Sequence, residues 1–400
     1  MDTLLNFLIS SGMLNLSDTD MVIFMTERKK YLAEHPYKIY QGKDDCWHTY
    51  LPDDTKSTGR RHVKRRTQAE VEEAVIFYWK DRDDNPTLKE VFDEWLERKL
   101  SMNKIKKSTA TRYRSDFERY FVEFGSRQIR GIKPEEYVDF METQLAKQHL
   151  TAKAFSNLRT ILRGMLKRAK KRKLILFDVE GMFNDLDVTD RDFKHRVVDD
   201  SLEIFYSDEY ERIMTYCKEH ADDVKSLGVA LMLVSGLRIG ELVALKPGDI
   251  LDGAIYVHRT ETRYEEDGRW KHDIIEYPKT PAGVRKVLIP KSYFWLLGKL
   301  KLLSLSNEFL FCNKHGQRYH TADVRKRQYY ICNKLGIPIR SPHKSRKTYG
   351  TILLDNNVGT KFIEKQMGHT DISCTELHYH RDRQRDEVKR EIINSIPDFC

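Results

Sequence analysis

The spacing of apolar residues changes along the chain and predicts successive kinds of structure. Over residues 37–66, apolar and polar positions alternate roughly by two in three runs separated by turn-forming residues. This period predicts a three-stranded antiparallel sheet, and the helical spacing that follows predicts a helix over 68–80. The charged stretch 81–86 is a candidate linker, and three amphipathic stripes over 88–183 predict a small helical bundle.

The C-terminal half of the chain has a mixed pattern. It predicts helices over 207–219, 222–235 and 239–246, short strands over 255–259, 273–277 and 284–290, and mainly helices thereafter. The fold class is therefore α+β and multidomain, with a small three-stranded sheet plus helix, a helical bundle, and a mainly helical domain with a small antiparallel sheet. The expected divisions are a helical segment over 1–36, a sheet-and-helix domain over 37–83, the bundle over 84–184, a linker over 185–206 and the mixed domain over 207–400.

Composition narrows the class of protein. The chain has 400 residues and a net charge of +9, which favours a polyanionic partner. Its six cysteines are dispersed without a C-x-x-C pair, which is typical of free thiols in a reducing cytosol. The apolar stretch 4–16 is interrupted by polar residues and is too short to span a bilayer. These features predict a cytoplasmic protein.

Basic residues gather on two of the predicted elements. On the third strand they alternate around His62, an arrangement that suits either a sheet face in a DNA groove or a charged edge strand. In the bundle they form two patches that suit either phosphate contacts or solvated helix faces. The predicted DNA contacts are Arg60, Arg61, Lys64, Arg65, Lys104, Lys106, Lys107, Arg112, Arg163 and Lys167.

Three stretches of the C-terminal domain hold residue types that suit phosphoryl transfer. Two arginines can grip a phosphate bidentately, lysine and histidine can donate protons, and a tyrosine is a competent covalent nucleophile. The candidates are Arg238, Lys279, His343, Arg346, His369 and Tyr379. Glu241, three residues after Arg238, either orients that arginine or forms an ordinary surface ion pair with it.

No metal or cofactor is expected from these motifs. His369, Cys374, His378 and His380 lie close together in sequence, but no C-x-x-C or H-E-x-x-H spacing accompanies them. The chain also lacks the G-x-x-x-x-G-K-[ST] loop that binds the phosphates of nucleoside triphosphates.

The six candidates, in this order, resemble the tyrosine recombinase (phage integrase) family. The terminal motif is Gly368-His369 followed by Tyr379, ten residues after the histidine, and Lys279-Thr-x-x-x-x-Arg285 resembles the family's β-hairpin motif. The likeness is strong over 207–396. The bundle resembles the family's core-binding domain, and residues 37–83 resemble the arm-binding domain of integrases from conjugative transposons and temperate phages.

The resemblance implies a mechanism without metal or ATP. Tyr379 would attack the scissile phosphate to give a 3′-phosphotyrosine, while Arg238 and Arg346 hold the non-bridging oxygens. Lys279 would protonate the leaving oxygen, His343 would act as acid and base, His369 would donate to the phosphate, and Glu241 would support the site. Ser345, Lys347 and Gly283 depart from the family's usual residues without removing a catalytic group.

The implied partners are double-stranded DNA at attachment sites, three further copies in a tetramer, and an accessory excision or bending protein. The leading hypothesis is an integrase of a mobile element. The alternatives are a dimer-resolving or inverting recombinase, a type IB topoisomerase with the same chemistry, and a catalytically silent DNA-binding protein. The predicted C-terminal helix over 383–396 packs either on its own domain or on a neighbouring protomer.

Overall fold

The structure is a computed structural model whose chain forms two compact units, Met1–His195 and Arg196–Cys400. We treat the two units separately. The structure describes residues 18–53, 56–195, 199, 202–276, 283–368, 383, 385, 389–391 and 394–395, with side chains from residue 25 onward.

The first unit begins with a small sheet packed on a helix. Its elements are α1 (Asp18–Glu34), β1 (Tyr40–Gln41), β2 (Trp47–Pro52), β3 (Arg60–Arg65) and α2 (Gln68–Asp84). The strands are antiparallel in the order β1-β2-β3, which confirms the predicted sheet. Leu51 and Val63 of the sheet pack against Val75 of α2 because the two-residue period places them on one face.

Helix α2 runs through the predicted linker, so the expectation of a linker beginning at residue 81 was wrong. Thr67 and Glu70 start the helix with a reciprocal capping box. Its charged end is stabilised by partners that the sequence pattern does not reveal. The Arg82 guanidinium donates to the Tyr78 hydroxyl at 2.7 Å and pairs with Glu90.

The helical bundle follows as predicted. Its helices are α3 (Leu88–Ser101), α4 (Lys107–Tyr120), α5 (Pro134–Gln148), α6 (Ala152–Lys171) and α7 (Val179–Asn184). The three amphipathic stripes meet in one apolar core, in which the rings of Phe92 and Phe117 stack at 4.1 Å. The polar faces of the same helices remain outside and carry the basic patches.

The second unit surrounds one buried helix. Its helices are α8 (Ser207–Glu219), α9 (Val224–Ser235), α10 (Ile239–Leu242), α11 (Phe294–Leu303), α12 (Thr321–Lys334), α13 (Pro342–Asp355) and α14 (Thr360–Met367). Every residue from 226 to 235 of α9 is buried. A helix that is apolar all round needs neighbours on every side, and α8, α11, α12 and α13 provide them.

The strands of the second unit form two separate sheets. Strands β4 (Ile250–Leu251), β5 (Ala254–Val257) and β8 (Arg285–Leu288) make one antiparallel sheet, and β6 (Thr260–Glu266) pairs only with β7 (Arg269–Ile275). The predictions missed β6 because its charged sequence shows no apolar face. They also placed the following strand at 273–277, and α10 ends at Leu242 rather than at residue 246.

Three further predictions concern the fold class, membrane-spanning helices and the cysteines. The predicted α+β class is confirmed by this mixture of helices and small antiparallel sheets. None of the helices in the described ranges is both long enough and apolar enough to cross a bilayer. Cys46, Cys217, Cys312 and Cys332 are free thiols.

Candidate phosphate-binding site

A left-handed glycine at the end of α9 begins the site. Gly236 has φ +64°, and a Cβ at this position would lie 2.4 Å from Cδ1 of Tyr349. Glycine is therefore required both by the backbone conformation and by the close approach of the ring. The chain then turns into α10, with Arg238 as the residue that precedes the helix.

Glu241 is the centre of a charged cluster. Its carboxylate accepts from the Arg238 backbone N–H at 2.9 Å and from Arg238 Nη1 at 2.9 Å. On its other side Arg285 donates from Nη1 at 3.0 Å and from Nη2 at 2.7 Å. The side chain of Glu241 is only 3% exposed. The pair is therefore not an ordinary surface ion pair, since the buried Glu241 carboxylate holds both the buried Arg285 and Arg238, whose side chain is 46% exposed.

The ionisation of Glu241 follows from these neighbours. Burial alone would raise the pKa of its carboxyl, but the hydrogen bonds and charge of Arg285 and the charges of Arg238 and Arg346 outweigh burial and lower the pKa to about 2. The cluster thus contains one fixed negative charge and three positive charges, a surplus that favours an anionic ligand.

Arg346 on α13 lies across from this cluster. Its Nη1 donates to the Gly236 carbonyl at 2.6 Å, and its Nη2 donates to the Met367 carbonyl. The residue is 1% exposed. The Arg346 guanidinium is therefore held by backbone oxygens that come from the ends of two different helices.

The carbonyl end of α14 brings three arginines together. Arg285 Nε donates to the Gln366 carbonyl at 2.8 Å, and Arg238 Nη2 to the Gly368 carbonyl at 3.3 Å. With Arg346 on the Met367 carbonyl, three successive oxygens are occupied. The last carbonyls of a helix have no partner within the helix and carry partial negative charge, so cations suit them.

His343 lies on the same helix as Arg346 and is exposed at its start. Partial desolvation and the positive charges of Arg346, Lys347, Lys344 and Arg238 lower the pKa of the imidazole to about 4. Desolvation is the larger cause and the nearby cations add to it, so both favour the neutral imidazole at pH 7.

Lys344 and Lys347, the two lysines near His343, form ion pairs with one carboxylate. Glu203, which precedes α8, pairs with both Lys344 and Lys347, and its side chain is 10% exposed. Burial would raise the pKa of Glu203, but the two lysines lower it to about 2. This contact fixes one face of α13 relative to the start of α8.

Three predicted site residues, Lys279, His369 and Tyr379, lie outside the described residues. The described strands on either side of the predicted Lys279 loop do not pair with each other, since β7 pairs with β6 and β8 pairs with β5. His369 directly follows the three carbonyls that hold the arginines.

Arg285 was not among the predicted functional residues. It entered only as the last residue of the Lys279 motif. The sequence feature that could have revealed it is an arginine at the first position of a short strand. In the structure this arginine is buried, with 9% exposure. Such a buried arginine requires an acidic partner, which here is Glu241.

The basic residues on β3 divide between the two faces of the sheet. Alternation places Arg60, His62 and Lys64 opposite Val63, which is buried on the helix side. Arg61 and Arg65 therefore lie on the side of Val63. On the outer face the Arg60 guanidinium stacks over the Tyr50 ring at 4.4 Å, and Lys64 Nζ lies 2.7 Å from Asp44.

The bundle residues differ in the partners they already have. Arg163 and Lys167 of α6 share Glu180, at 3.3 and 2.6 Å. Arg112 lies near the Tyr113 ring, 5.3 Å from its centroid. The remaining predicted contacts, at the start of α4, are exposed or half-buried: Lys104, Lys106 and Lys107.

The site of the second unit combines two guanidinium groups that can bind a phosphate with an imidazole that can transfer a proton. Arg238 and Arg346 are held by backbone and carboxylate partners, so neither has to reorganise before an anion binds. The side chain of Arg238 is 46% exposed and can present its guanidinium to a ligand. His343 completes an arrangement that suits a phosphodiester.

Comparison with known proteins agrees with the family resemblance of the candidate residues. The phage integrase family matches residues 203–385. The tyrosine recombinase XerC-like protein of Caldanaerobacter subterraneus subsp. tengcongensis is 30% identical over 198 residues, which are 44% of this chain and 50% of that protein. The chain spans about half the length of the curated relatives it matches.

Two solved structures share the fold. The Tn1549 transposon integrase in complex with transposon right end DNA covers 77% of this chain and 99% of its own, with a TM-score of 0.57 and 18% identity. A lambda integrase dimer bound to a COC′ core site covers 88% and 97%, with a TM-score of 0.55 and 17% identity. At these identities the likeness concerns the fold alone. The family match, the relatives and the site agree: residues 203–385 are similar to the phage integrase family, and the relatives that match this part of the chain are tyrosine recombinases.

Proposed function

We propose that this protein is a site-specific DNA recombinase that cuts and rejoins strands through a covalent 3′-phosphotyrosine. The observation that carries the proposal is the convergence of Arg238 and Arg346, with His343 one helical turn from Arg346, inside a domain that is similar to the phage integrase family. Guanidinium groups held in advance neutralise charge that develops on the phosphate in the transition state.

The proposed reaction keeps the energy of the broken phosphodiester bond in a bond between the phosphate and tyrosine. The Tyr379 hydroxyl loses its proton and attacks phosphorus, and the bond to the 5′ oxygen breaks. Lys279 gives that oxygen its proton, leaving a free 5′-hydroxyl and a phosphotyrosine. Attack by the 5′-hydroxyl of another strand reverses both steps, so the overall exchange needs neither ATP nor metal.

His343 and His369 complete the proposed set. The pKa of His343 is lowered to about 4, so its imidazole is neutral at pH 7 and can accept a proton. His369 would donate to a phosphate oxygen, and its place next to the Gly368 carbonyl, which binds Arg238, supports this role. Glu241 would position Arg238 and Arg285 without touching DNA.

The integrase of a mobile element is the biological role we favour. The sheet-and-helix module over 37–83 presents Arg60, His62 and Lys64 on one outer face, which suits contact with a second class of DNA site. The bundle over 84–184 would contact the core site. A recombinase that only resolves dimers needs no such extra module, so the module is the feature that separates the two hypotheses.

The proposed assembly is a homotetramer on two DNA duplexes, with an accessory excision or bending protein as a further partner. Cytoplasmic and nucleoid localisation follows from the proposed substrate. An assay with supercoiled plasmids carrying one or two sites separates recombination from the topoisomerase alternative. Product formation that requires two sites supports recombination, whereas relaxation of a plasmid without a second site supports the topoisomerase.

The nucleophile is tested by replacing Tyr379 with phenylalanine. The full chain is incubated with a nicked attachment-site duplex that traps the covalent intermediate, and the complex is resolved by denaturing electrophoresis. We expect Tyr379→Phe to form no covalent complex while it binds the duplex with unchanged affinity, because only the attacking oxygen is removed.

The matched control is Tyr330→Phe, which removes the hydroxyl of a tyrosine that is 50% exposed on α12. This variant should form the covalent complex like the wild type. Covalent attachment by Tyr379→Phe would show that another residue is the nucleophile. Absence of attachment by the wild type with any site would favour a silent DNA-binding protein.

A further inference from the structure

A second cluster of ionisable side chains lies in the same unit at the base of the β6–β7 hairpin. Glu261 of β6, His272 of β7 and His320, which precedes α12, offer ligand atoms that all lie within 4.8 Å of one another. His272 Nδ1 is 3.2 Å from Glu261 Oε1, and His320 Nδ1 is 2.8 Å from Glu261 Oε2. The two imidazole rings are 4.1 Å apart.

These separations match those of a metal centre. Ligands about 2.0 Å from a tetrahedral ion lie about 3.3 Å from each other. Two imidazoles and one carboxylate are a ligand set that zinc takes in proteins, with a water in the fourth position. The approach of both Nδ1 atoms to one carboxylate already brings the three groups to nearly that spacing.

The charge state of the cluster also suits a cation. The side chain of Glu261 is 1% exposed. Its oxygens accept hydrogen bonds from His320 Nδ1, the Thr321 backbone N–H and Arg318, a set of donors that suits an ionised carboxylate. The His320 side chain is 41% exposed, so an ion can reach the carboxylate from solvent past this ring.

Arg318 is compatible with an ion at this place. It pairs with Glu261 Oε2, whereas Oε1 accepts from the Thr321 N–H at 3.1 Å. A carboxylate that binds a metal through one oxygen commonly has its other oxygen held by a neighbouring donor, and here Arg318 is that donor. Its positive charge opposes a cation, so we expect moderate rather than extreme affinity.

We propose that Glu261, His272 and His320 form a zinc site that fastens the β6–β7 hairpin to the start of α12. The ion replaces the two hydrogen bonds between the imidazoles and the carboxylate. Each imidazole binds through Nδ1 and keeps its hydrogen on Nε2, so no net proton is released from neutral rings. Spacing in the sequence does not reveal this site because its ligands come from three separate segments.

The test uses the full chain after treatment with EDTA and removal of the chelator. Zinc chloride is titrated into the wild type and into His320→Gln, with binding followed by calorimetry and stability by thermal unfolding. We expect the variant to lose one zinc per chain relative to the wild type, with affinity at this site weakened at least about 100-fold. Zinc should raise the Tm of the wild type more than that of the variant.

The test depends on the difference in zinc binding between the wild type and the ligand variants, because the chain has 14 histidines and some of them can bind zinc elsewhere. His258→Gln is the matched control, since His258 Nε2 also lies near a carboxylate, 3.7 Å from Asp249 Oδ1. It should bind zinc like the wild type. His272→Gln should behave like His320→Gln, and cobalt should give the wild type a visible absorption band that both variants lack.

Equal zinc stoichiometry and affinity in the wild type and in both ligand variants would overturn the proposal. An equal rise in Tm on addition of zinc to the wild type and to both ligand variants would overturn it as well. In that case the cluster would be a hydrogen-bonded connection between the hairpin and α12 only.

Discussion

At the scale of single residues, the site depends on one buried carboxylate. Glu241 accepts four hydrogen bonds from two residues, two from Arg238 and two from Arg285. Removing a single partner from a buried charge pair leaves the other charge in a low-dielectric interior, which costs far more than losing a surface pair. The position of Arg238 and the stability of the unit are therefore linked through Glu241.

The first prediction concerns Glu241→Gln, which keeps the shape and removes the charge. We expect a loss of about 3 kcal/mol in the free energy of unfolding, because Arg285 stays buried without an anion. Urea unfolding of the full chain at pH 7 measures the change. The comparison variant is Glu308→Gln, whose exposed partner is Lys246 at 2.8 Å.

The surface variant Glu308→Gln should change the free energy of unfolding by no more than about 0.5 kcal/mol. If the two substitutions cost the same, the buried cluster does not contribute as the distances imply.

At the scale of elements, the geometry of the site comes from where helices end. Gly236 ends α9 in the left-handed region and offers its carbonyl to Arg346, while α14 ends at Gly368, φ +67°, and offers three carbonyls to three arginines. Helix ends are places where backbone groups lack partners, so a charged side chain finds a ready site there. Helix ends at two glycines thus hold both Arg238 and Arg346, the arginines proposed to bind phosphate.

Replacement of Gly236 by alanine tests this dependence. The added Cβ meets Tyr349, and the left-handed backbone is strained for alanine, so we expect a loss of about 1–3 kcal/mol in stability. DNA cleavage should fall as well because the carbonyl that holds Arg346 moves. Gly248→Ala is the control, since its Cβ would meet nothing within 4 Å and its φ is negative or extended.

Gly248→Ala should leave both stability and cleavage close to those of the wild type. Cleavage by Gly236→Ala at the wild-type rate would show that Arg346 does not depend on this turn.

The pairing of α6 with α7 yields a prediction for DNA binding. Arg163 and Lys167 must leave Glu180 to contact phosphate, so Glu180→Gln is expected to tighten binding of duplex DNA by about twofold to fivefold. Fluorescence anisotropy at several salt concentrations measures the effect. Asp93→Asn, which removes an acid beside Lys89 on α3, controls for net charge alone.

An equal gain from Asp93→Asn and Glu180→Gln would mean that only net charge matters, and that α6 does not form the predicted contact surface.

At the scale of the whole molecule, three of the buried carboxylates in the described part of the second unit have similar surroundings. Glu203, Glu241 and Glu261 each have cationic or N–H partners that lower the pKa to about 2 against the effect of burial. Each lies in a different place, where it ties separate elements together. A single solution property, acid sensitivity, therefore reports on all three connections.

The sign of this acid sensitivity follows from proton linkage. A carboxyl whose pKa is lower in the folded than in the unfolded state stabilises the fold above pH 4.5. That stabilisation is lost as the pH falls from about 4.5 to about 2. We expect the free energy of unfolding of the second unit to fall steeply over this interval, with a shallower slope in Glu203→Gln. Urea unfolding across pH 2–7 tests this. An unchanged slope in the variant would contradict it.

The sequence alone predicted most of the regular elements and the resemblance to the tyrosine recombinase family. The two-residue period over 37–66, the stripes of the bundle and helix 207–219 were all readable because burial of one face imposes a period on the chain. The order of Arg238, His343 and Arg346 was likewise sufficient to suggest the family. Roles for Lys279, His369 and Tyr379 stay predictions, as do the individual DNA contacts.

Only the tertiary structure decided which polar residues meet. Arg285 meets Glu241, and Glu261 meets His272 and His320, because the packed elements bring separate segments of the chain together. Periodicity reports how a residue faces the core but says nothing about which charge lies opposite. Hydrogen bonds and ion pairs between distant segments form only when the packed elements bring them within a few ångströms, and that is why the sequence predicted the framework while the fold decided the site.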